Sequence, residues 1–244
     1  VKYGPRTTGG VLNLLSRSLP TEANSSTGML DAALGSDGYY KGHAYFAKEK
    51  NNTAGLIEVF SYGADGFKEL PVGDDNTGFE KNDVLVKFGH TFGENDAHNI
   101  EFKLKYSEET SDETYMGLTD ADYQQNPYRR YAASQNDEMN TRHNAYQVNY
   151  AYRFGEGYEV LATAYLNDFH RNWYKASSVG SSTLEQYSEF EANPTAAGIE
   201  NIGVKANNRD YQAKGVQSEL HIPAGAHYIT VGVRYHEDEM DRFQ

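Results

Sequence analysis

The chain has 244 residues, no cysteine, and 22 Lys and Arg against 35 Asp and Glu, for a formal net charge of −13. Without thiols it has neither a disulfide framework nor thiolate chemistry, and an acidic chain with no Lys/Arg block is ill suited to a nucleic-acid partner. A mean hydropathy of −0.75 and the lack of any apolar run of about 18 residues exclude a membrane-spanning helix, but not a membrane-spanning β-barrel, whose strands are apolar only at alternate positions. The 20 tyrosines suit the aromatic belts of such a barrel and, equally, ordinary strand propensity.

The first twenty residues differ from everything after them. Gly4-Pro5 and Gly9-Gly10 are turn signals ahead of the short apolar run Val11-Leu12-Asn13-Leu14-Leu15, and Pro20 ends the segment. The pattern predicts turn, turn and buried strand. No signal peptide precedes it, so the chain reads as a piece that begins inside a structured unit.

From Thr21 onward the dominant pattern is period two. Ile100, Phe102, Leu104 and Tyr106 alternate with Glu101, Lys103 and Lys105, and Tyr146, Val148, Tyr150, Tyr152 and Phe154 alternate with Gln147, Asn149, Ala151 and Arg153. Ile229, Val231, Val233 and Tyr235 do the same against Thr230, Gly232, Arg234 and His236. Less regular strand-like segments cover 29–34, 39–49, 53–63, 82–92, 158–175 and 209–222. Together these predict about nine antiparallel strands and an all-β fold.

The connections alternate in length. Lys50-Asn51-Asn52, the stretch 93–97, Gly155-Glu156-Gly157 and the stretch 223–226 are tight turns, whereas 64–81, 108–140 and 176–208 are long and polar; only Ser36-Asp37-Gly38 is short on the long-loop side. Tight turns at one end and long loops at the other are the arrangement of an up-and-down outer-membrane barrel. A soluble β-sandwich with insertions is the competing architecture. Because strand edges exposed to lipid leave amides unsatisfied, a membrane barrel must close, so further strands are expected beyond Gln244.

With these features in hand, Tyr3-Gly4-Pro5-Arg6, Gly9-Gly10-Val11-Leu12-Asn13 and Arg17-Ser18-Leu19-Pro20 resemble the end of the plug domain of TonB-dependent outer-membrane receptors. Gly117 to Tyr123, followed by Asn126-Pro127-Tyr128-Arg129-Arg130, resembles the loop between the fifth and sixth strands of the ferric dicitrate type, and Val231 to Glu237 resembles a later strand. The resemblance implies a plug remnant over 1–20 and the first part of a barrel over 21–244, about nine of some 22 strands. It also implies energised import across the outer membrane of a Gram-negative bacterium. A ferric chelate binds outside, loops close, and the TonB complex acts through a region upstream of this chain, with lipid around the barrel. Such a receptor is not an enzyme and needs no cofactor, iron entering only as part of the cargo.

Candidate ligand residues follow from strand parity. Arg234 shares the polar face of its strand with Thr230, Gly232 and His236, and Arg209 falls in step with Tyr211, Gln217 and Glu219. Both are predicted to face the lumen, where a planar guanidinium suits carboxylates. The resemblance places Arg6 at the pocket floor, where the family commonly has glutamine, and Arg129 and Arg130 are loop candidates. Each arginine also has a structural reading, as a partner for wall carboxylates such as Glu219. No metal ligand set is predicted: His236-Glu237-Asp238-Glu239 is read as a solvated strand end, and Asp74, Asp75, Glu108, Glu109, Asp112 and Glu113 as loop acids. A passive porin or adhesion barrel and a secreted carbohydrate-binding sandwich are the alternative functions.

Overall fold

The computed structural model describes residues 9–10, 12–72, 76–186 and 201–243. They form a single antiparallel sheet: β1 (Ser26–Leu34), β2 (Tyr40–Lys50), β3 (Thr53–Ala64), β4 (Phe79–Phe92), β5 (His98–Asp112), β6 (Glu138–Phe154), β7 (Tyr158–Val179), the two-residue β8 (Ser182–Thr183), β9 (Ile202–Ala224) and β10 (His227–Phe243). Each long strand pairs with its predecessor in sequence, β9 follows β7, and β8 pairs only with β7. Among the described residues no second sheet covers either face, which removes the β-sandwich.

The tight turns form as the sequence dictates. Asn51 and Asn52 both take positive φ, 55° and 60°, as a two-residue hairpin turn requires. Gly155 and Gly157 supply φ values of 54° and 88° at the β6–β7 turn.

At the opposite end the strands run past their predicted limits. β4 starts at Phe79, β5 continues to Asp112, β7 to Val179, β9 starts at Ile202 and β10 continues to Phe243. Above the apolar band polar residues stand on both faces of each strand among scattered aromatics, so the strict alternation that marks a strand in sequence disappears while the backbone ladder continues. The β5–β6 loop shortens accordingly, to 113–137.

Register assigns the two faces. Cross-strand partners share a face, and one row reads Phe46, Ile57, Val86, Leu104, Tyr146 and Leu166 from β2 to β7. The next reads Phe88, Phe102, Val148, Ala164, Val216 and Tyr235. These side chains are left open: Phe46 is 54 % exposed, Leu104 49 % and Val216 54 %. A continuous exposed apolar face of this size is unusual for a surface in contact with water.

The limits of that face are sharp. Moving toward the long loops, Val59, Val84, Tyr106, Tyr146, Leu166, Val216 and Tyr235 are followed two residues on by Ser61, Asn82, Glu108, Asn144, Asp168, Lys214 and Glu237. At the tight-turn end Phe92, His98, Tyr152, Phe154 and Tyr158 stack in series, with centroids 5.0, 4.4, 5.1 and 5.5 Å apart. Tyr158 to Leu166 on β7 spans about 27 Å along the strand, and a tilt of about 40° reduces this to about 21 Å, close to the apolar height of a membrane barrel.

The opposite face is polar and ion-paired, with Lys81 on Glu109 at 2.9 Å and Lys87 on Glu101 at 3.4 Å. The chain before β1 lies on this face. Arg17 binds Glu58 at 3.2 Å, with its guanidinium 3.7 Å above the Tyr45 ring, and Leu19 occupies the space over Gly89 that a β-carbon would enter at 2.6 Å. The predicted buried strand is not formed. Leu12, Leu14 and Leu15 are 85 %, 82 % and 84 % exposed and take no strand partner among the described residues, because no neighbouring chain offers a ladder there; Val11 lies outside those residues.

A packed apolar cluster forms where the β5–β6 loop meets the sheet, while Ala47, Ala54, Leu56 and Ala145 are buried within the sheet itself. Met116, Tyr131, Ala133 and Ala176 are buried together, joined by Leu118, Val179, Leu184 and Ile202. The β5–β6 loop thereby folds onto the top of β7 and β9.

Candidate functional site

The polar face of β7, β9 and β10 toward the long loops is strongly cationic. Arg171 on β7 lies directly across from Arg209 on β9, which lies across from Arg242 on β10. Two positions further up, Trp173 pairs with Asn207, and Lys175 then pairs with Lys205. Two positions below the arginines, Phe169 and Tyr211 pair with ring centroids 5.9 Å apart. Five cations thus collect on three strands of a chain whose net charge is −13.

Like charges placed opposite one another in a sheet are unfavourable, and this row has little internal compensation. Among the described residues no carboxylate pairs with Arg171, Arg209 or Arg242; the contact made by Arg209 is a 3.4 Å hydrogen bond to the Tyr211 hydroxyl. Arg171 Nε, Trp173 Nε1 and Asn207 Oδ1 are buried without a hydrogen-bond partner, and Asn207 is 7 % exposed. The first two are buried donors, which are costly without an acceptor, and the Asn207 oxygen is an acceptor that lacks a donor. The arrangement therefore suits an anion with several oxygens, bound beside aromatic surface.

The expected residues divide into three groups. Arg209 is at the centre of the cationic row. Arg234 does face the polar side, but eight positions along β10 from Arg242, about 27 Å away at strand rise. It donates to the Tyr165 hydroxyl at 3.0 Å, and that hydroxyl lies 2.5 Å from His236 Nδ1. Gly215 makes this possible, since a β-carbon there would sit 2.5 Å from the Tyr165 oxygen. Arg209 and Arg234 therefore do not converge on one small ligand. Arg6 lies outside the described residues.

Arg129 and Arg130 form the third group, engaged in building a loop. Helix α1 (Asp120–Gln125) is capped by Thr119, whose hydroxyl accepts from Asp122 N at 3.2 Å. Tyr131 is fully buried and donates to Asp122 Oδ2 at 2.6 Å, while Arg129 binds Asp122 Oδ1 at 3.0 Å. The Tyr131 and Thr119 hydroxyls, helped by Arg129, hold the Asp122 carboxyl below the usual carboxylate range. Arg130 donates from its guanidinium to Pro127 O at 3.0 Å and from its backbone to Glu69 O at 2.7 Å. Glu69 N in turn donates to Tyr128 O at 2.9 Å, and Asn126 Nδ2 to Glu69 Oε2 at 2.9 Å. The β3–β4 and β5–β6 loops are thus joined.

Parity reasoning missed Arg171, Arg242, Trp173 and Lys175. The signal for Arg171, Trp173 and Lys175 was their i, i+2, i+4 spacing in step with Tyr165; Arg242 follows Arg234 at an even interval. What the sequence lacked was the register that puts Arg171, Arg209 and Arg242 side by side. Among the described residues no set of three His, Asp or Glu side chains is grouped to hold a metal ion. His236 and Asp238 form a pair at 2.9 Å, and Asp74 and Asp75 lie outside the described residues.

Comparison with solved structures places this sheet. The ferric-catecholate import receptor Fiu of E. coli K12, in its closed form, matches 96 % of the chain with a TM-score of 0.68 at 12 % identity, and the ferric citrate transporter FecA, unliganded, matches 99 % with a TM-score of 0.69 at 16 % identity. The siderophore receptor PiuA of Acinetobacter baumannii matches 92 % with a TM-score of 0.63 at 12 % identity. The open sheet has the fold of a segment of those receptors' β-barrels. The chain spans about a third of those proteins, 34 %, 33 % and 32 % of their lengths. All three are receptors or transporters. No protein-family model matches the chain, and no curated protein does.

Proposed function

We propose that the chain forms part of the barrel of a TonB-dependent receptor in a Gram-negative outer membrane, importing an anionic, carboxylate-rich ferric chelate with TonB-transduced energy. The observation that carries this reading is the row Arg171, Arg209 and Arg242, which lacks carboxylate partners among the described residues and adjoins the unpartnered donors of Arg171 and Trp173. Planar guanidinia match carboxylates in pairs, and a cationic row in an acidic chain attracts an anion to that part of the polar face.

The cargo is drawn from chemistry and from likeness together: two of the similar structures are named for ferric catecholate and ferric citrate. The apolar face between the aromatic stack and the polar fringe supports a lipid setting, with the long loops outside. The free edges of β1 and β10 support closure by further strands, since unsatisfied edge amides are not tolerated in lipid. Residues 1–20 are read as the end of a plug, supported by the lie of Arg17 and Leu19 on the polar face. That segment disfavours a passive porin, which has no need of a chain docked inside its wall.

The test is fluorescence quenching of the full-length receptor titrated with a panel of ferric chelates, including ferric dicitrate, a ferric catecholate and a neutral hydroxamate. Saturable binding of an anionic chelate, lost on Arg209→Ala with Arg171→Ala, is the expected result. Preference for the neutral chelate, or binding indifferent to both substitutions, refutes the reading.

A further inference from the structure

Asp137 ends the β5–β6 loop, and it is 4 % exposed. Its Oδ2 accepts the Tyr115 N–H at 2.9 Å and its Oδ1 the Ala176 N–H at 2.5 Å. Its backbone closes the same knot, accepting from Glu113 N at 2.8 Å and donating to Ser134 O at 3.0 Å. One carboxylate thus ties the start of the loop and its end to the upper part of β7. The attachment point is beside the irregularity between Ala176 and Ser178, where the β7–β9 ladder shifts register.

The two tied residues are neighbours of the cationic strip. The Tyr115 ring packs edge-on against Trp173 with centroids 5.6 Å apart. Lys175 Nζ sits 4.0 Å from the Tyr115 centroid and 4.5 Å from that of Trp173, so its charge is held between two rings. Trp173 is two positions above Arg171 on the same face. A second brace comes from the β3–β4 loop: Lys68 Nζ donates to Thr114 Oγ1 at 3.0 Å, next to Tyr115, and Glu69 joins Asn126, Tyr128 and Arg130.

We propose that Asp137 is a positioning residue for the chelate site: by clamping Tyr115 and Ala176 it holds Trp173 and Lys175 beside Arg171 as a preformed wall. This rests on the anion-binding reading of the arginine row. The consequence is specific. The two loops move as one block that is already seated before ligand arrives, and this side of the mouth contributes to binding without closing. A preformed wall avoids the entropy of ordering two side chains when the ligand binds. Without the carboxylate, the Tyr115 and Ala176 N–H groups lose their buried acceptor, Tyr115 leaves the Trp173 ring, and Lys175 is released to solvent.

The experiment is a double-mutant cycle in the full-length receptor, using ferric dicitrate as probe with Asp137→Asn, Lys175→Gln and the pair. Asp137→Asn keeps the side-chain volume and one acceptor, so the barrel stays assembled. Affinity is expected to fall about tenfold in each single variant, the size of one lost buried hydrogen bond. In the pair it falls little further, because Lys175 is already displaced when Asp137 is changed. Trp173 emission, taken as the difference from a Trp173→Phe receptor, shifts to the red, and amide exchange across 113–137 speeds up. Additive losses overturn the proposal, since they mean that Asp137 acts on the fold alone. So does unchanged emission with unchanged exchange. A wild-type receptor that binds no ferric chelate removes the anion-binding reading, and the clamp then stands or falls on emission and exchange.

Discussion

If the arginine row binds an anionic chelate as proposed, replacing Arg209 by Gln makes the ligand-free receptor more stable and its complex weaker. Arg209 has a guanidinium neighbour on each side, Arg171 and Arg242, whereas each of those has one. Two guanidinia about 6 Å apart repel by about 0.7 kcal/mol in water and by about 3 kcal/mol at the effective dielectric of a protein surface. These side chains are partly open to solvent, so the lower part of that range applies, about 1 kcal/mol for each neighbour. Removing the middle charge relieves both contacts and raises the stability of the empty receptor by about 1–2 kcal/mol, while Arg171→Gln and Arg242→Gln each give about half. Against this, a charge-assisted hydrogen bond to a bound carboxylate contributes about 1.5–3 kcal/mol, so the affinity for ferric dicitrate falls by about 10- to 100-fold. Urea unfolding of the ligand-free receptor and quenching titrations at low and high salt measure the two halves. A loss of stability on Arg209→Gln, or an unaltered affinity, would mean that the row is satisfied internally and is not a binding site.

Other substitutions probe the supports of the site. Gly215→Ala puts a β-carbon 2.5 Å from the Tyr165 hydroxyl and 2.6 Å from the Tyr235 carbonyl, so the Arg234–Tyr165–His236 contact breaks; urea unfolding is expected to show a cost of about 1–3 kcal/mol, and no change would count against the tight packing. Arg17→Ala releases the chain before β1 from Glu58 and Tyr45. The expected readout is faster thiol labelling of a Leu19→Cys receptor, with global stability altered by about 1 kcal/mol or less. For Asp122 the folded carboxyl is held below its usual range by Tyr131 and Thr119. Its stabilisation is therefore complete above the unfolded value near pH 4 and is lost as pH falls through the depressed folded value. Amide protection factors in 119–125, taken relative to the intrinsic exchange rate at each pH, should fall on acidification in the native loop and stay constant over that range in Asp122→Asn.

The sequence by itself determined the class of fold, the strand order and the two faces. Alternation of side chains across a pleat is a local property, so Ile100 to Tyr106 and Tyr146 to Phe154 declare an apolar face without reference to any partner. Turn chemistry is local as well, and Asn51-Asn52 and Gly155-Glu156-Gly157 marked the tight end. Parity alone correctly turned Arg209 and Arg234 to the polar face. Three things were decided only in the tertiary structure. The strands outlast their own signal above the apolar band, because ladder hydrogen bonds do not depend on side-chain alternation. The β5–β6 loop has a core around Tyr131 that converts Arg129 from a candidate contact into a brace for Asp122, a role that requires residues distant in sequence to meet. Register settled the site: a shift of two residues between β7, β9 and β10 would leave every side chain on its face and yet scatter Arg171, Arg209 and Arg242. Facing is encoded within each strand, but adjacency depends on how the strands are aligned, and only adjacency turns separate arginines of the polar face into a row.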